Sequence, residues 1–387
     1  MDAVTQIVLG GSIAAGFFSN KLGRSSLFFG AFCGLLPDID IFFHSLDSWD
    51  GLEFHRSFTH SLLLLPTLAP ILGSIAYGIE SWIKKRHIKT LTYKEQKALE
   101  DQEDDNAKNR FALWIQLAFW TLITHPILDV FTTYGTQILY PLSNKRFATD
   151  AIAIIDFIYT LPLIFVFIWS MRATSRKENT PKKNLSKRQV RQTPIKLNEG
   201  IPSTPRYQKF AQYSLLFTTV YLVLCQIYSW HCLDRATAQF RQIGFEPQKM
   251  RVKPPIIFST IRRVIAINDQ GDFMVANYSY FSKRPPKPVL KRNLLLPEIS
   301  YAMDSKEGQL FHWFTDGFVI PVIDGNNLSL IDGRYGLLSN LWWSPFQARA
   351  VIQPDGTTSP LELVQVSTEV PVLTEITAGW DVFVGNE

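Results

Sequence analysis

Imidazoles and carboxylates interrupt otherwise apolar stretches of this 387-residue chain at a few places. Pro37-Asp38-Ile39-Asp40 closes one stretch and His55-Arg56-Ser57-Phe58-Thr59-His60-Ser61 opens another. His125-Pro126-Ile127-Leu128-Asp129 ends a third, and Asp150 and Asp156 flank the start of a fourth. Ionisable side chains in membrane-type segments are costly and mark functional sites by default. Together, imidazole and carboxylate suit Zn²⁺, Mn²⁺ or Fe²⁺. His125 and Asp129 are four apart, so a helix presents both on one face. Asp38 and Asp40 converge only on a bent or extended backbone, which Pro37 permits. His55 and His60, five apart, could offer one ligand from a loop and one from a span. Thr59 suits an N-cap or a partner behind a ligand. Arg56 could clamp a phosphate or carboxylate. So many donors could hold one or two ions that activate water for attack on an ester. An ion or proton path and purely structural polar packing are the competing readings. Cys33, Cys225 and Cys232 have no metal or redox spacing and read as small core residues.

The elements that must carry these groups are membrane spans. Mean hydropathy is only +0.03, with 46% hydrophobic and 19% charged residues, but the average conceals two unlike halves. A spanning helix takes about 20 mostly apolar residues. Six stretches qualify, at 5–18, 25–43, 61–83, 111–134, 151–171 and 208–230. The first is short and rich in Gly and Ala, so it is expected to be re-entrant or packed inside the bundle. It opens MDAVTQ with no basic n-region, and is expected to be retained rather than cleaved.

Lysine and arginine set the orientation. Segments 19–24, 84–110 and 172–206 carry 20 of them, whereas 44–59 and 135–150 carry 3. The first set is therefore expected in the cytoplasm, and everything after about 232 outside. Segment 84–110 reads as a polar helical extension and 172–206 as a disordered basic loop near lipid headgroups. His44 and His231 read as interfacial polar residues. This topology puts Asp38, Asp40, His55, His60, His125, Asp129, Asp150 and Asp156 at one outer rim. The net charge of +5 makes no case for nucleic acid.

Residues 233–387 change character. A short helix is expected at 233–243, then alternating stretches bridged by turn signals such as Asn268-Asp269-Gln270-Gly271-Asp272 and Asp324-Gly325-Asn326-Asn327. The expected architecture is an all-α membrane bundle over 1–232, carrying the metal site, followed by a β-rich extracytoplasmic domain over 233–387.

The run MDAVTQIVLG, then PDID, HRSFTHS and HPILDVFTTYGTQILYPLS, and the Asp150/Asp156 stretch resemble the bacterial inner-membrane family of membrane-bound metal-dependent hydrolases. The likeness covers roughly residues 1–165, in order. It implies hydrolase chemistry related to zinc-dependent phospholipases C and nucleases, with Asp38, Asp40, His55, His60, His125, Asp129 and Asp156 as site residues. Many members carry His where this chain has Gln6, and an acid near Ala15, so this chain is expected either to do without a ligand from its N-terminal segment or to bind one metal fewer.

The resulting expectation is a multi-pass inner-membrane hydrolase, holding one or two divalent ions, zinc first, and acting on an ester of a lipid or envelope molecule. Asp38, His60, His125 and Asp129 would be metal ligands. Asp40, His55 and Asp156 would be further ligands or a general base, and Arg56 would orient an anionic group. The alternative is a non-enzymatic envelope protein in which a metal staples the bundle and the outer domain binds a partner. The sequence is silent on oligomeric state.

Overall fold

The computed structural model describes residues 1–43, 48–88, 104–179, 205–255, 259–282 and 285–385. His44, most of the 84–110 segment and most of the 172–206 segment fall outside the described residues. The helical half comprises α1 (Ala3–Ile13), α2 (Ser25–Leu35), α3 (Trp49–Phe54), α4 (Leu65–Ile88), α5 (Asp104–Val130), α6 (Phe157–Asn179) and α7 (Arg206–Gln242). Among the described residues, five helical segments are long and apolar enough to cross a membrane. These are Ala3–Leu22, Ser25–Phe42, Asn109–Val130, Phe157–Ser175 and Arg206–Gln242. A sixth arises if Trp49–His60 and Leu65–Arg86, bent by 64°, count as one broken span.

Asp2 caps α1 by accepting from the Thr5 amide at 3.0 Å, satisfying a donor that the first helical turn leaves open. The first span continues through a π-helical turn at Ala14–Phe18 and packs inside the bundle, as its small residues led one to expect. Gly10 faces Gly30 and Gly34 of α2 with no room for side chains between. A Cβ on Gly34 would collide with the Gln6 carbonyl oxygen, and one on Gly30 with that of Gly10. Small residues let two spans approach backbone to backbone, and van der Waals contact then holds them where no hydrophobic force acts. Beyond α2 the chain tightens into a 3₁₀ segment, Leu36–Phe42, with Pro37 in its first turn.

The last helix differs from the sequence expectation. Instead of a span at 208–230 and a separate helix at 233–243, α7 runs unbroken for 37 residues. No Gly or Pro interrupts it until Gly244, whose φ is +82°. At 1.5 Å per residue it is about 55 Å long, well beyond a hydrocarbon core of about 30 Å. The 232/233 boundary therefore falls inside a helix that both halves share.

The strand-rich half contains two four-stranded antiparallel sheets, each a meander: β1 (Lys249–Lys253) to β4 (Val289–Lys291), and β5 (Val319–Asp324) to β8 (Glu362–Gln365). β2 (Ile261–Ile267) and β3 (Phe273–Ser279) form the hairpin signalled at Asn268–Asp272, with Ile267 opposite Phe273. β5 and β6 (Asn327–Asp332) meet through the two residues Gly325 and Asn326. Alternation gives the first sheet two buried faces. Val264, Ala266, Met274 and Ala276 pack on Ala236 and Phe240 of α7. Ile265, Phe273 and Val275 pack on Phe318, Ile320 and Ile331 from the second sheet's side. A third cluster joins the halves, with Leu52 and Tyr134 from the helical half set among Phe311, Phe314, Leu328 and Ala348.

Candidate metal centre

Four of the anticipated residues converge. Asp38 comes from the 3₁₀ end of the second span and His60 from the 3₁₀ turn Phe58–His60, while His125 and Asp129 lie one turn apart on α5. One donor atom from each lies within 4.8 Å of the other three. His60 Nε2 and His125 Nε2 stand 3.2 Å apart. Asp38 Oδ1 lies 3.3 Å from the first and 3.4 Å from the second. Asp129 Oδ2 lies 3.2 Å and 3.5 Å from them. Bonds of about 2.0–2.1 Å in a tetrahedral arrangement put ligand atoms roughly 3.3 Å apart. Five of the six edges thus match a tetrahedral Zn²⁺ ligand set.

The surrounding hydrogen bonds fix which nitrogens are free. His125 Nδ1 lies 2.6 Å from the Gly34 carbonyl oxygen, which can only accept, so Nδ1 carries the proton and Nε2 the lone pair. Thr59 Oγ1 donates to Asp40 Oδ2 at 2.8 Å, so it accepts from His60 Nδ1 at 2.9 Å. His60 Nε2 is thereby also left as a lone pair. Carboxylate-backed and carbonyl-backed imidazoles are the usual supports of metal-binding histidines. Asp129 Oδ1 accepts from Gln6 Nε2 at 3.0 Å and from the Met1 amino group. Its Oδ2 is buried without a hydrogen-bond partner and faces the two imidazoles. Two nitrogen lone pairs and two carboxylate oxygens aimed at one buried point repel one another unless a proton or a cation sits among them. The residues present therefore fit a divalent metal.

Asp40 and His55 stand just outside this group. Asp40 Oδ1 pairs with His55 Nδ1 at 3.1 Å, and Oδ2 also takes the Arg56 amide at 3.0 Å. Asp40 thus ties the His55–His60 segment to the second span. Arg56, at φ +62°, is buried with Nε 3.3 Å from Asp129 Oδ2 and Nη1 donating to Thr132 Oγ1 at 3.1 Å. Its guanidinium lies over Tyr134, 5.1 Å from the ring centre. Only Asn-, Asp- and Gly-like backbones settle readily at positive φ, so this arginine is held by its surroundings.

Asp156 goes elsewhere. Its carboxylate caps α6 through the Tyr159 amide at 3.1 Å and accepts from Tyr221 Oη at 2.9 Å and Ser259 Oγ at 3.0 Å. The ligand role expected for it is corrected to that of a helix cap tying α6 to α7 and the strand-rich half. Asp150 likewise binds Arg251 Nε at 2.7 Å and Nη2 at 2.9 Å. Gln6 occupies the cluster's edge, whereas Ala15 is buried in the apolar core of the bundle. The Gly34 carbonyl had no signature in the sequence, because any residue carries one. Tyr134 lay inside a recognisable block but had nothing to mark its place between two arginines.

Comparison with curated proteins returns no match, and neither does comparison with solved structures. Residues 1–229, which hold every member of the cluster, match the family described as YdjM inner membrane protein, and the chain belongs to that family.

Proposed function

We propose that this protein is a metal-dependent hydrolase of the inner membrane, acting at the outer leaflet on a phosphodiester or other ester of a lipid or envelope molecule. The observation that carries the metal in this reading is the near-tetrahedral spacing of Asp38, His60, His125 and Asp129 around one buried point. These residues would hold one ion, with zinc the best match to two imidazoles and two carboxylates. A bound ion supplies Lewis acidity toward water and toward an ester oxygen. Asp40 and Thr59 hold the His60 proton at Nδ1, away from the donor atom. Arg56 offers a fixed positive charge beside Asp129 for an anionic group. Asp40, paired with His55, would be the carboxylate outside the four ligands that takes up a proton. The loop charge asymmetry, 20 against 3, supports the placement of this rim and of the strand-rich half outside the cytoplasm.

A second reading, a structural metal that staples the bundle within a partner-binding envelope protein, draws support from the same four side chains. Structural sites fill all four positions with protein, whereas catalytic ones keep a position open to water. Metal content of detergent-purified protein tests what both readings share: wild type should carry about one equivalent, and His125→Ala and Asp129→Ala far less. Equal metal in all three refutes both. A screen of chromogenic phosphodiesters and carboxylic esters with the metal-loaded wild type then separates them, since turnover lost in Arg56→Gln with metal retained supports the hydrolase.

A further inference from the structure

A long groove opens between α5, which also carries His125 and Asp129, and α7. Its first chamber, about 700 Å³, is bounded by Trp120 and Ile127 of α5, by Phe131 just beyond its end and by Leu9 and Ile13 of α1. Its wall on α7 is formed by Leu215, Thr218, Thr219, Leu222 and Val223. The chamber is almost wholly apolar, because the threonines turn their hydroxyls back onto their own helices: Thr218 and Thr219 to Leu215, and Thr124 to Trp120. A second chamber of about 520 Å³ shares Phe131 with the first and continues along α7 at Gln226, Ser229 and Leu233. Leu215, Thr218, Leu222, Gln226, Ser229 and Leu233 are three or four apart, so they form one stripe on one helix face. The two chambers are therefore successive parts of one groove.

Polarity changes along it within one helical turn. From Leu215 to Val223 the apolar part extends about 12 Å, close to the roughly 15 Å of hydrocarbon in one leaflet. The second chamber is lined by Arg146, Asp150, Arg251 and Asp316, two positive and two negative. Two of its lining residues carry a buried polar atom without a hydrogen-bond partner, Arg146 Nε and Gln226 Oε1. Arg146 Nη1 donates to Leu52 O and Nη2 to Tyr134 O and Gly135 O, which leaves Nε for something else. Arg251 Nε and Nη2 bind Asp150, Lys249 Nζ binds Asp316 Oδ1, and Asp316 Oδ2, 3.9 Å from Arg251 Nη1, is left facing the chamber. A leaflet-deep apolar slot leading into a charge-balanced chamber with an orphan donor and an orphan acceptor is complementary to an amphiphile carrying both signs of charge.

We propose that the α5–α7 groove is a binding site for one zwitterionic phospholipid. One of its two acyl chains lies along Leu215–Val223, its phosphate faces Arg146 and Arg251, and its ammonium faces Gln226 and Asp316 Oδ2. The site stands apart from the hydrolase reading, since occupancy is read without turnover and none of these groups belongs to the metal cluster. The test is native mass spectrometry of the full-length protein in mild detergent, titrated with dioleoyl-phosphatidylethanolamine or with dioleoyl-phosphatidylglycerol. One phosphatidylethanolamine should be held per chain, at least fivefold more tightly than phosphatidylglycerol. Leu222→Trp, which fills the apolar chamber, should abolish the bound lipid. Gln226→Leu, which leaves the helix packing untouched, should weaken it at least fivefold. Helical circular dichroism and a melting temperature equal to wild type certify that each variant is folded. No retained lipid, equal retention by both variants, no preference between headgroups, or a dimer in which a second copy closes the groove would each overturn the assignment.

Discussion

His60 Nε2 and His125 Nε2 face each other across 3.2 Å, although the residues are 65 apart in the chain. Each ring is turned by a bond at its far nitrogen: Thr59 and Asp40 behind one, the Gly34 carbonyl behind the other. Two lone pairs at that distance are tolerable only with a shared proton or cation. The two neighbouring carboxylate oxygens favour a divalent ion.

Metal binding to the folded state alone stabilises it by mass action, about 2.7 kcal/mol when free metal is 100-fold above Kd. Stripping the detergent-solubilised protein with a chelator should therefore lower its melting temperature, and adding Zn²⁺ should restore it. In His60→Ala the melting temperature should be indifferent to both treatments. Chelator-insensitive melting of the wild type would count against the site.

Asp40 acts on the ion through Thr59 and His60. Replacement of such a backing group costs about 10–100-fold in metal affinity. Asp40→Asn should show that loss in competition with a chromogenic chelator while the helical circular dichroism is kept. Unchanged affinity would mean that the relay does not orient His60.

The α1–α2 contact leaves no space for a Cβ at Gly34, and the Gly34 carbonyl also orients His125. Gly34→Val should force the helices apart, destabilising the protein by about 1–3 kcal/mol as overpacking does. It should also reduce bound metal. A thermal melt in detergent alongside metal analysis checks both, and a stable variant with full metal would show that the crossing is dispensable.

In the strand-rich half, Lys253 is buried with its ammonium 4.7 Å from the centre of the Tyr335 ring. Desolvation, with the nearby Arg263 charge adding to it, lowers its pKa from 10.5 to about 7, against the opposing pull of Asp150 and Asp332. The unfolded chain keeps this proton up to pH 10.5, so between about pH 7 and 10.5 it binds more protons than the folded one. Stability should rise with pH across that window and be lowest, for this group, below pH 7. Lys253→Met should flatten the slope and stabilise the protein at pH 6 by about 1–4 kcal/mol, the range found when buried charges give way to apolar side chains. Denaturant melts at pH 6 and 9 measure it, and an unchanged pH slope would be the contrary result.

Alkaline phosphatase fused after Gln242 or after Gly385 should be active, and fused after Asn179 inactive, if the lysine and arginine bias sets the orientation. The reverse pattern would place the metal rim on the cytoplasmic side.

Composition and local period were enough to locate the apolar spans, the β2–β3 and β5–β6 hairpins and the acids and imidazoles worth watching. Each of these is written within a few consecutive residues, where hydrophobic runs, turn residues and an HxxxD spacing are legible. Tertiary structure alone decided which of the candidates meet. Asp38 and Asp156 looked alike in sequence, yet one joins the histidines and the other caps α6. The choice depends on where α2 crosses α1, on the 64° break before α4 and on the positive φ of Arg56. None of these has a local period, because each follows from contacts between residues distant in the chain. The unbroken course of α7 is the converse case: local propensity allowed it throughout, and packing of its far end against the first sheet carries the helix on beyond the length that a span requires.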